Sequence, residues 1–180
     1  RLVDGISKDQ RPNPVGFLWN DWEIPMAFLP VKGGEMSSPD GSSKENIAEA
    51  GWVARILENL LEPGDLQESD IGIITPYAGQ VRAIRDALPE NRESIEVHTV
   101  DGYQGREKEV IIFSCVRSND EGSVGFLSDP RRLNVALTRA RRGLIVIGDP
   151  DTLRNDSVWS NWLAHIRSRN LEAWHILGMA

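Results

Sequence analysis

Cysteine, histidine and long apolar runs are scarce in this sequence, and each scarcity argues against a class of protein. The one cysteine, Cys115, has no disulfide partner and lies in the apolar run 110–116, so we expect a buried thiol and an intracellular protein. The three scattered histidines predict no metal site. No apolar stretch approaches the roughly 20 residues that cross a bilayer, so no membrane partner is expected.

A phosphate-binding loop is also missing. Such a loop follows the pattern G-x-x-x-x-G-K-[ST], whose glycines let backbone N–H groups approach the phosphates. The sequence contains no Gly-Lys pair. Two apolar runs that end in an acid, 97–101 and 145–149, resemble the magnesium-binding end of a nucleotide site, but neither has a phosphate loop to serve. We therefore expect no ATP hydrolysis by this chain alone.

The residues that are present are those of a globular domain with unevenly placed charge. The chain has 180 residues, which suits one domain, and 40% of them are hydrophobic. A net charge of −7 argues against a protein that coats nucleic acid through overall basicity. Residues 131–142, however, hold five arginines and no acid. Either they face anions across a cleft or they form surface salt bridges, and the absence of acids within the run favours the first interpretation.

Hydrophobic periodicity divides the chain into an irregular segment, 1–43, which contains one short strand, and an alternating region, 44–180. Ser42 and Glu45 have capping-box spacing and predict the start of the first helix. Apolar runs predict strands at 26–31, 71–75, 95–100, 109–116 and 144–147. Helical spacing predicts further helices at 78–88, 131–142 and 157–169. Short apolar strands alternating with helices are typical of an α/β fold, a parallel sheet with helices on both faces.

Ligands of such sheets bind beyond the carboxyl ends of the strands. We therefore expect functional side chains at 75–77, 101–107, 117–119 and 148–150, which follow predicted strands. In the second of these segments two glycines flank Gln104 and allow a tight loop, and Glu107 can accept hydrogen bonds from a ribose hydroxyl. The alternative is a polar turn between two strands. On the predicted helix 131–142, Asn134, Thr138 and Arg141 or Arg142 fall near one face.

Three segments resemble helicase motifs in the order that a helicase has them. Residues 72–80 look like motif IV, residues 100–109 with 114–119 look like motif V, and residues 125–142 look like motif VI. Together they resemble the Upf1-like branch of superfamily 1B helicases. This resemblance runs from about Ser43 to Pro150 and implies the second, C-terminal RecA-like lobe of the motor. It also implies ATP with Mg²⁺ held mainly by an N-terminal RecA-like lobe of the same polypeptide, and translocation, 5′ to 3′, on single-stranded RNA or DNA.

The resemblance assigns a role to each matching residue. Arg139 matches the arginine that meets the γ-phosphate, and Glu107 matches the glutamate near the nucleotide sugar. Gln104 and Gly105 match the loop that couples nucleotide to nucleic acid, and Arg142 is expected beside the nucleotide. The positions expected to contact the single strand are Thr75, Pro76, Tyr77, Thr99, Asn134 and Thr138.

Two other functions stay open at this point. A helicase-like lobe could grip nucleic acid or a protein partner without turnover, or it could be the ATPase part of a helicase–nuclease. Lobes that lack turnover have usually lost the motif V glutamate or the motif VI arginine. Glu107 and Arg139 are both present, which favours the active motor.

Overall fold

The computed structural model describes residues 12–103 and 105–178, and a parallel sheet forms its centre. The strands are β1 Met26–Pro30, β2 Met36–Ser37, β3 Lys44–Glu45, β4 Ile71–Thr75, β5 Glu96–Thr99, β6 Lys108–Ser114 and β7 Ala140–Gly148. Five of them form one sheet in the order β1-β7-β6-β4-β5, in which every pair is parallel. The other two, β2 and β3, pair with each other in antiparallel orientation. The α/β prediction is confirmed.

Helices cover both faces of the sheet. They are α1 Ile47–Leu61, α2 Ala78–Ala87, α3 Pro130–Leu137, α4 Pro150–Leu153 and α5 Ser157–Ser168. Successive strand residues point to opposite faces, so Ile73 packs in the cluster beneath α1 and α2, while Ile74 packs in the cluster beneath α3 and α5. This alternation explains why β4 is buried along its whole length, as its unbroken apolar run predicts. Within the described ranges, no helix is long and apolar enough to span a membrane.

The first helix begins later than the capping-box spacing predicts. Its N-cap is Asn46, whose side chain accepts a hydrogen bond from the Glu49 backbone N–H. The Ser42 prediction is wrong because residues 44–45 form β3, paired with 36–37, and cannot also enter a helix. The other predicted elements agree with the structure within two residues at each end, apart from the arginine-rich segment and the strand predicted at 144–147, which begins four residues earlier, at Ala140.

The arginine-rich helix is two-thirds of the predicted length. Asp129 caps α3 through a hydrogen bond from the Arg131 backbone N–H, and the helix ends at Leu137. The chain then becomes β7 from Ala140, so the prediction of a helix to 142 is wrong. The physical reason is tertiary, because β7 lies between β1 and β6 and hydrogen-bonds to both. Arg141 and Arg142 therefore lie on a strand and do not share a helix face with Asn134 and Thr138.

Candidate functional site at two edges of the sheet

The predicted site residues divide between opposite edges of the sheet. Strands β6 and β7 begin at Lys108 and Ala140, so Glu107 and Arg139 lie at the amino-terminal edge. Strands β4 and β5 end at Thr75 and Thr99, which lie at the carboxyl edge. The expectation that Glu107 lies beyond a carboxyl end is therefore wrong. Between β5 and β6 the chain crosses from one edge to the other in residues 100–107.

Arg139 stands out at the amino-terminal edge because part of its guanidinium is unpaired. Its Nε atom is buried and has no hydrogen-bond partner, while its backbone carbonyl accepts a hydrogen bond from Lys108 N at 3.1 Å. That backbone contact fixes the position of Arg139 between α3 and β7. A buried donor without an acceptor is uncommon, and a ligand oxygen would satisfy it.

The other arginines of the segment pair with carboxylates, so the salt-bridge interpretation is correct for four of the five. The sequence argument failed because it considered only acids within the run, whereas the acids come from a neighbouring cap and from other parts of the sheet. The pairs, with their N···O distances, are Arg131–Asp129 at 3.0 Å, Arg132–Asp101 at 3.2 Å, Arg141–Glu107 at 3.2 Å and Arg142–Asp65 at 3.5 Å.

Glu107, the predicted sugar-binding carboxylate, lies in an exposed ion pair. Its Oε2 accepts a hydrogen bond from Arg141 Nε, and about half of each side chain is exposed. Exposed ion pairs contribute about 0–1 kcal/mol, so Glu107 can exchange Arg141 for a polar ligand at little cost. Nearby, Gly105 is exposed and has a φ of +78°, a backbone conformation that favours glycine. Gln104 lies outside the described residues, and its coupling role stays a prediction.

At the carboxyl edge, some predicted contact residues reach the surface and others do not. Thr75 is fully buried, and its Oγ1 has no hydrogen-bond partner. Tyr77 is also buried, and its hydroxyl accepts hydrogen bonds from Arg117 Nη1 and Phe126 N. Pro76 and Thr99 are partly exposed and can meet a strand laid across this edge.

The two remaining predicted contacts, Asn134 and Thr138, are exposed on α3. The Thr138 hydroxyl donates to the Asn134 carbonyl at 2.8 Å, which closes the last turn of the helix. Helix α3 begins near the carboxyl edge, where Arg132 pairs with Asp101, and it ends near the start of β7 at the other edge. Both α3 and the segment 100–107 therefore connect the two edges.

Comparison with known proteins supplies the family. The family described as an AAA domain matches residues 1–151. Regulator of nonsense transcripts 1 of Dictyostelium discoideum is 43% identical over 178 residues, which is 95% of this chain and 13% of that protein. The chain belongs to the Upf1-like family. The resemblance carried by the motif IV, V and VI segments is confirmed.

Other Upf1-like proteins match over nearly the same residues. The ATP-dependent helicase NAM7 of Saccharomyces cerevisiae is 41% identical over 93% of this chain and 18% of its own length. The ATP-dependent helicase upf1 of Schizosaccharomyces pombe is 39% identical over 93% of this chain and 19% of its own length. The chain thus spans less than a fifth of each of these relatives.

One polar cluster of this Upf1-like chain was not predicted as a unit. Glu35 accepts hydrogen bonds from Arg117 Nε at 2.7 Å, from Asn119 Nδ2 and from Ser118 N, and Arg117 continues to Tyr77. Burial alone would raise the pKa of Glu35, but hydrogen bonds from Arg117, Asn119 and Ser118 outweigh it and lower the pKa. The signal available in the sequence was the polar segment 117–119 after β6. Its partner, Glu35, could not be found because it lies 82 residues from Arg117.

Arg142, predicted beside the nucleotide, has partners that hold the fold together. Its Nε donates to the Pro12 carbonyl at 2.6 Å, and its guanidinium lies 3.5 Å from Asp65 and 3.9 Å from Glu109. Only 13% of the side chain is exposed. These contacts join the start of β7 to β6 and to two distant loops, so the side chain contributes to stability whether or not it also meets nucleotide.

Replacing Arg142 with alanine should therefore lower the free energy of unfolding by about 2 kcal/mol, the size of a well-shielded hydrogen bond to a charged group. Urea denaturation followed by circular dichroism measures this change. An Arg82→Ala variant is the matched control, because its pairing with Asp40 is half-exposed and its loss should change stability by less than about 1 kcal/mol. Equal stability of the two variants would contradict the structural role.

Proposed function

We propose that the chain is the C-terminal motor lobe of an ATP-dependent helicase that translocates 5′ to 3′ on single-stranded nucleic acid. In this proposal an N-terminal RecA-like lobe of the same polypeptide supplies the phosphate loop and the Mg²⁺ ligands. The chain described here supplies Arg139, Glu107 and the strand-gripping carboxyl edge. An intracellular location belongs to the proposal and is supported by the single, buried, free thiol of Cys115.

The observation that carries this proposal is the buried, unpartnered Nε of Arg139 among four arginines that have carboxylate partners. A guanidinium that is fixed at an edge and lacks an acceptor is suited to an incoming phosphate oxygen. The residues present therefore fit a nucleotide. Arginines placed in this way stabilise the charge that develops during phosphoryl transfer.

Glu107 is the second group on the nucleotide side. It lies at the same edge as Arg139, and its exposed pairing with Arg141 leaves the carboxylate able to accept a hydrogen bond from a ribose hydroxyl. When the two lobes close over ATP, Arg139 and Glu107 would approach the nucleotide together. Hydrolysis would then depend on lobe closure.

The nucleic acid would lie along the opposite edge. Partly exposed Pro76 follows β4, and partly exposed Thr99 ends the adjacent strand β5. The Thr99 hydroxyl can donate to a phosphate oxygen, whereas Pro76, which has no backbone N–H, offers only an apolar contact. Helix α3 and the segment 100–107 span the sheet between the two edges. We infer that they transmit lobe closure at the nucleotide edge to the grip on the strand.

The proposal is tested by steady-state ATPase measurements on the full-length protein, with and without single-stranded RNA or DNA. We expect nucleic acid to stimulate hydrolysis, and the stronger stimulator identifies the preferred track. Duplexes with a single-stranded tail on either the 5′ or the 3′ side test direction, because a 5′-to-3′ motor displaces only the strand paired beyond a 5′ tail. If the protein binds the single strand but its ATPase rate does not rise, the motor proposal fails and the binding-module hypothesis takes its place.

A further inference from the structure

Phe126 is a large aromatic side chain that the fold leaves open to solvent. It lies in the helical turn Gly125–Ser128 between β6 and α3, and 55% of the residue is exposed. One exposed aromatic residue alone needs no explanation. The guanidinium of Arg132, however, lies 5.0 Å from the centre of the Phe126 ring, within the range of a cation–π contact. The ring and the cation form one composite surface, which we name the Phe126–Arg132 platform.

Buried polar contacts hold the platform in place. The Phe126 backbone N–H donates to the Tyr77 hydroxyl at 3.3 Å, and the Tyr77 ring lies 5.3 Å from the Phe126 ring. The same hydroxyl accepts from Arg117, which is fixed by Glu35 at 2.7 Å. The platform is therefore anchored to the buried cluster at the carboxyl edge. A ring held in this way loses little conformational entropy when a ligand stacks on it.

The glycine before the ring is required by this arrangement. Gly125 has a φ of +54°, and a Cβ atom at that position would lie 2.1 Å from Arg117 Nη1 and 2.5 Å from the Tyr77 hydroxyl. Any side chain would collide with the anchor of the platform. The turn is therefore built so that the chain passes close over Arg117 and Tyr77 and places the next side chain, Phe126, at the surface.

Cationic groups lie beside the platform. A groove of about 290 Å³ is lined by Val100, Asp101, Asp129, Arg131, Arg132 and Val135. The Arg131 side chain is 89% exposed, and the Asp101 carboxylate that pairs with Arg132 is 67% exposed. Because ion pairs of highly exposed side chains are weak, Arg131 can turn to a stronger anion while Arg132 stays over the ring. Thr99, a predicted strand contact, lies two residues before Asp101.

We propose that the Phe126–Arg132 platform stacks one base of the single-stranded nucleic acid, while Arg131 meets an adjacent phosphate. An exposed ring flanked by cations is the combination by which proteins hold single strands without reading their sequence. The inference rests on the proposed function and adds a specific subsite to it. An apolar protein segment is a different occupant, and it would need the bulk of the ring but not its π face.

Binding of a short fluorescein-labelled oligouridine to the full-length protein, followed by fluorescence anisotropy, tests the platform. We expect Phe126→Leu to raise the Kd about tenfold, the size of losing one base–aromatic stack, and Phe126→Trp to bind at least as tightly as the parent. The salt dependence of binding should be unchanged in Phe126→Leu, whereas Arg131→Ala should lower its slope by about one. Trp22→Ala is the matched control, since Trp22 is also 55% exposed; its Kd should not change.

Melting temperatures equal to that of the parent confirm that the variants fold, and Trp22→Ala should also keep the ATPase activity that the parent has without nucleic acid. If the oligonucleotide stimulates the ATPase of the parent but Phe126→Leu binds it as tightly as the parent does, the base-stacking role of the platform is refuted and the proposed motor function is not. If Phe126→Leu and Trp22→Ala weaken binding equally, a specific stack is refuted as well. If the parent neither binds the strand nor responds to it, the proposed function itself fails.

Discussion

An Arg139→Ala variant of the full-length protein is expected to lose at least about a hundredfold of its nucleic-acid-stimulated ATPase rate, because arginines that stabilise a transferring phosphoryl group contribute about 10³–10⁵ in rate. Binding of the single strand should survive. The reason is geometric, since Arg139 lies at the amino-terminal edge of β7, whereas four of the six predicted strand contacts, Thr75, Pro76, Tyr77 and Thr99, lie at or near the carboxyl ends of β4 and β5. Turnover and strand affinity, measured on the same preparation, separate the two effects.

An Arg139→Lys variant makes the test more specific. Lysine keeps the charge but lacks the planar set of donors that meets two phosphate oxygens at once, so we expect most of the loss to remain. Arg82→Ala is the control. Arg82 is exposed on α2, pairs with Asp40 and is not among the residues predicted to contact nucleotide or nucleic acid. A catalytic role for motif VI would be refuted by an Arg139→Ala protein whose stimulated rate equals that of Arg82→Ala.

The sheet could be predicted because its signal is local. The strand at 71–75 has the predicted bounds, since a run of apolar residues between polar flanks is what a strand buried on both faces requires. The arginine-rich segment failed for the opposite reason. Its helical spacing continues past Leu137, and what converts Ala140 onward into a strand is hydrogen bonding to β1 and β6, whose residues lie far away along the chain.

The sequence indicated which residues form the candidate site, but not how they are arranged. The motif resemblance selected Arg139 and Glu107, and the structure places both at one edge. The motif resemblance did not reveal that Glu107 is paired with Arg141, nor that Tyr77 is buried beneath Phe126. Those facts depend on which side chains of distant segments meet, and spacing along a single sequence does not carry that information.

Glu49 provides the second large expected effect, a fall in stability as the pH rises. The residue is fully buried in the first turn of α1, and its Oε2 accepts hydrogen bonds from Ser114 Oγ at 2.6 Å and Val116 N at 2.9 Å. Its other oxygen is buried without a partner. Burial raises the pKa of Glu49 to about 8, against the opposing effect of the hydrogen bonds from Ser114 and Val116.

The sign of the pH dependence follows from where the proton is bound. Between the ordinary glutamate pKa of 4.5 and about 8, Glu49 is protonated in the folded protein and ionised in the unfolded chain. Folding therefore takes up a proton in this window, and stability falls by about 1.4 kcal/mol per pH unit as the pH rises. The contribution is fully present below pH 4.5 and is lost above about 8, a total of roughly 5 kcal/mol.

A Glu49→Gln variant should remove this dependence. Glutamine has the shape of the protonated acid and keeps an acceptor for Ser114 and Val116, so we expect the variant to match the parent near pH 4 and to exceed its stability increasingly towards pH 8. Urea denaturation at several pH values measures the difference. Glu58→Gln, on the same helix, is the control. The hydrogen bond from Arg92 lowers the pKa of Glu58, so replacing this carboxylate should lower the free energy of unfolding by the same amount at neutral and at mildly alkaline pH.

The acceptor role of Glu49 has its own consequence, because Val116 lies in the left-handed region with a φ of +74°. That conformation is strained for a β-branched residue and persists only where contacts hold it. Glu49→Ala removes the acceptor from Val116 N and should therefore destabilise the protein even at low pH, where Glu49→Gln does not. Equal stability of the two variants near pH 4 would show that the strained turn does not depend on this side chain. A constant difference between Glu49→Gln and the parent at every pH would show that Glu49 ionises normally in the folded protein.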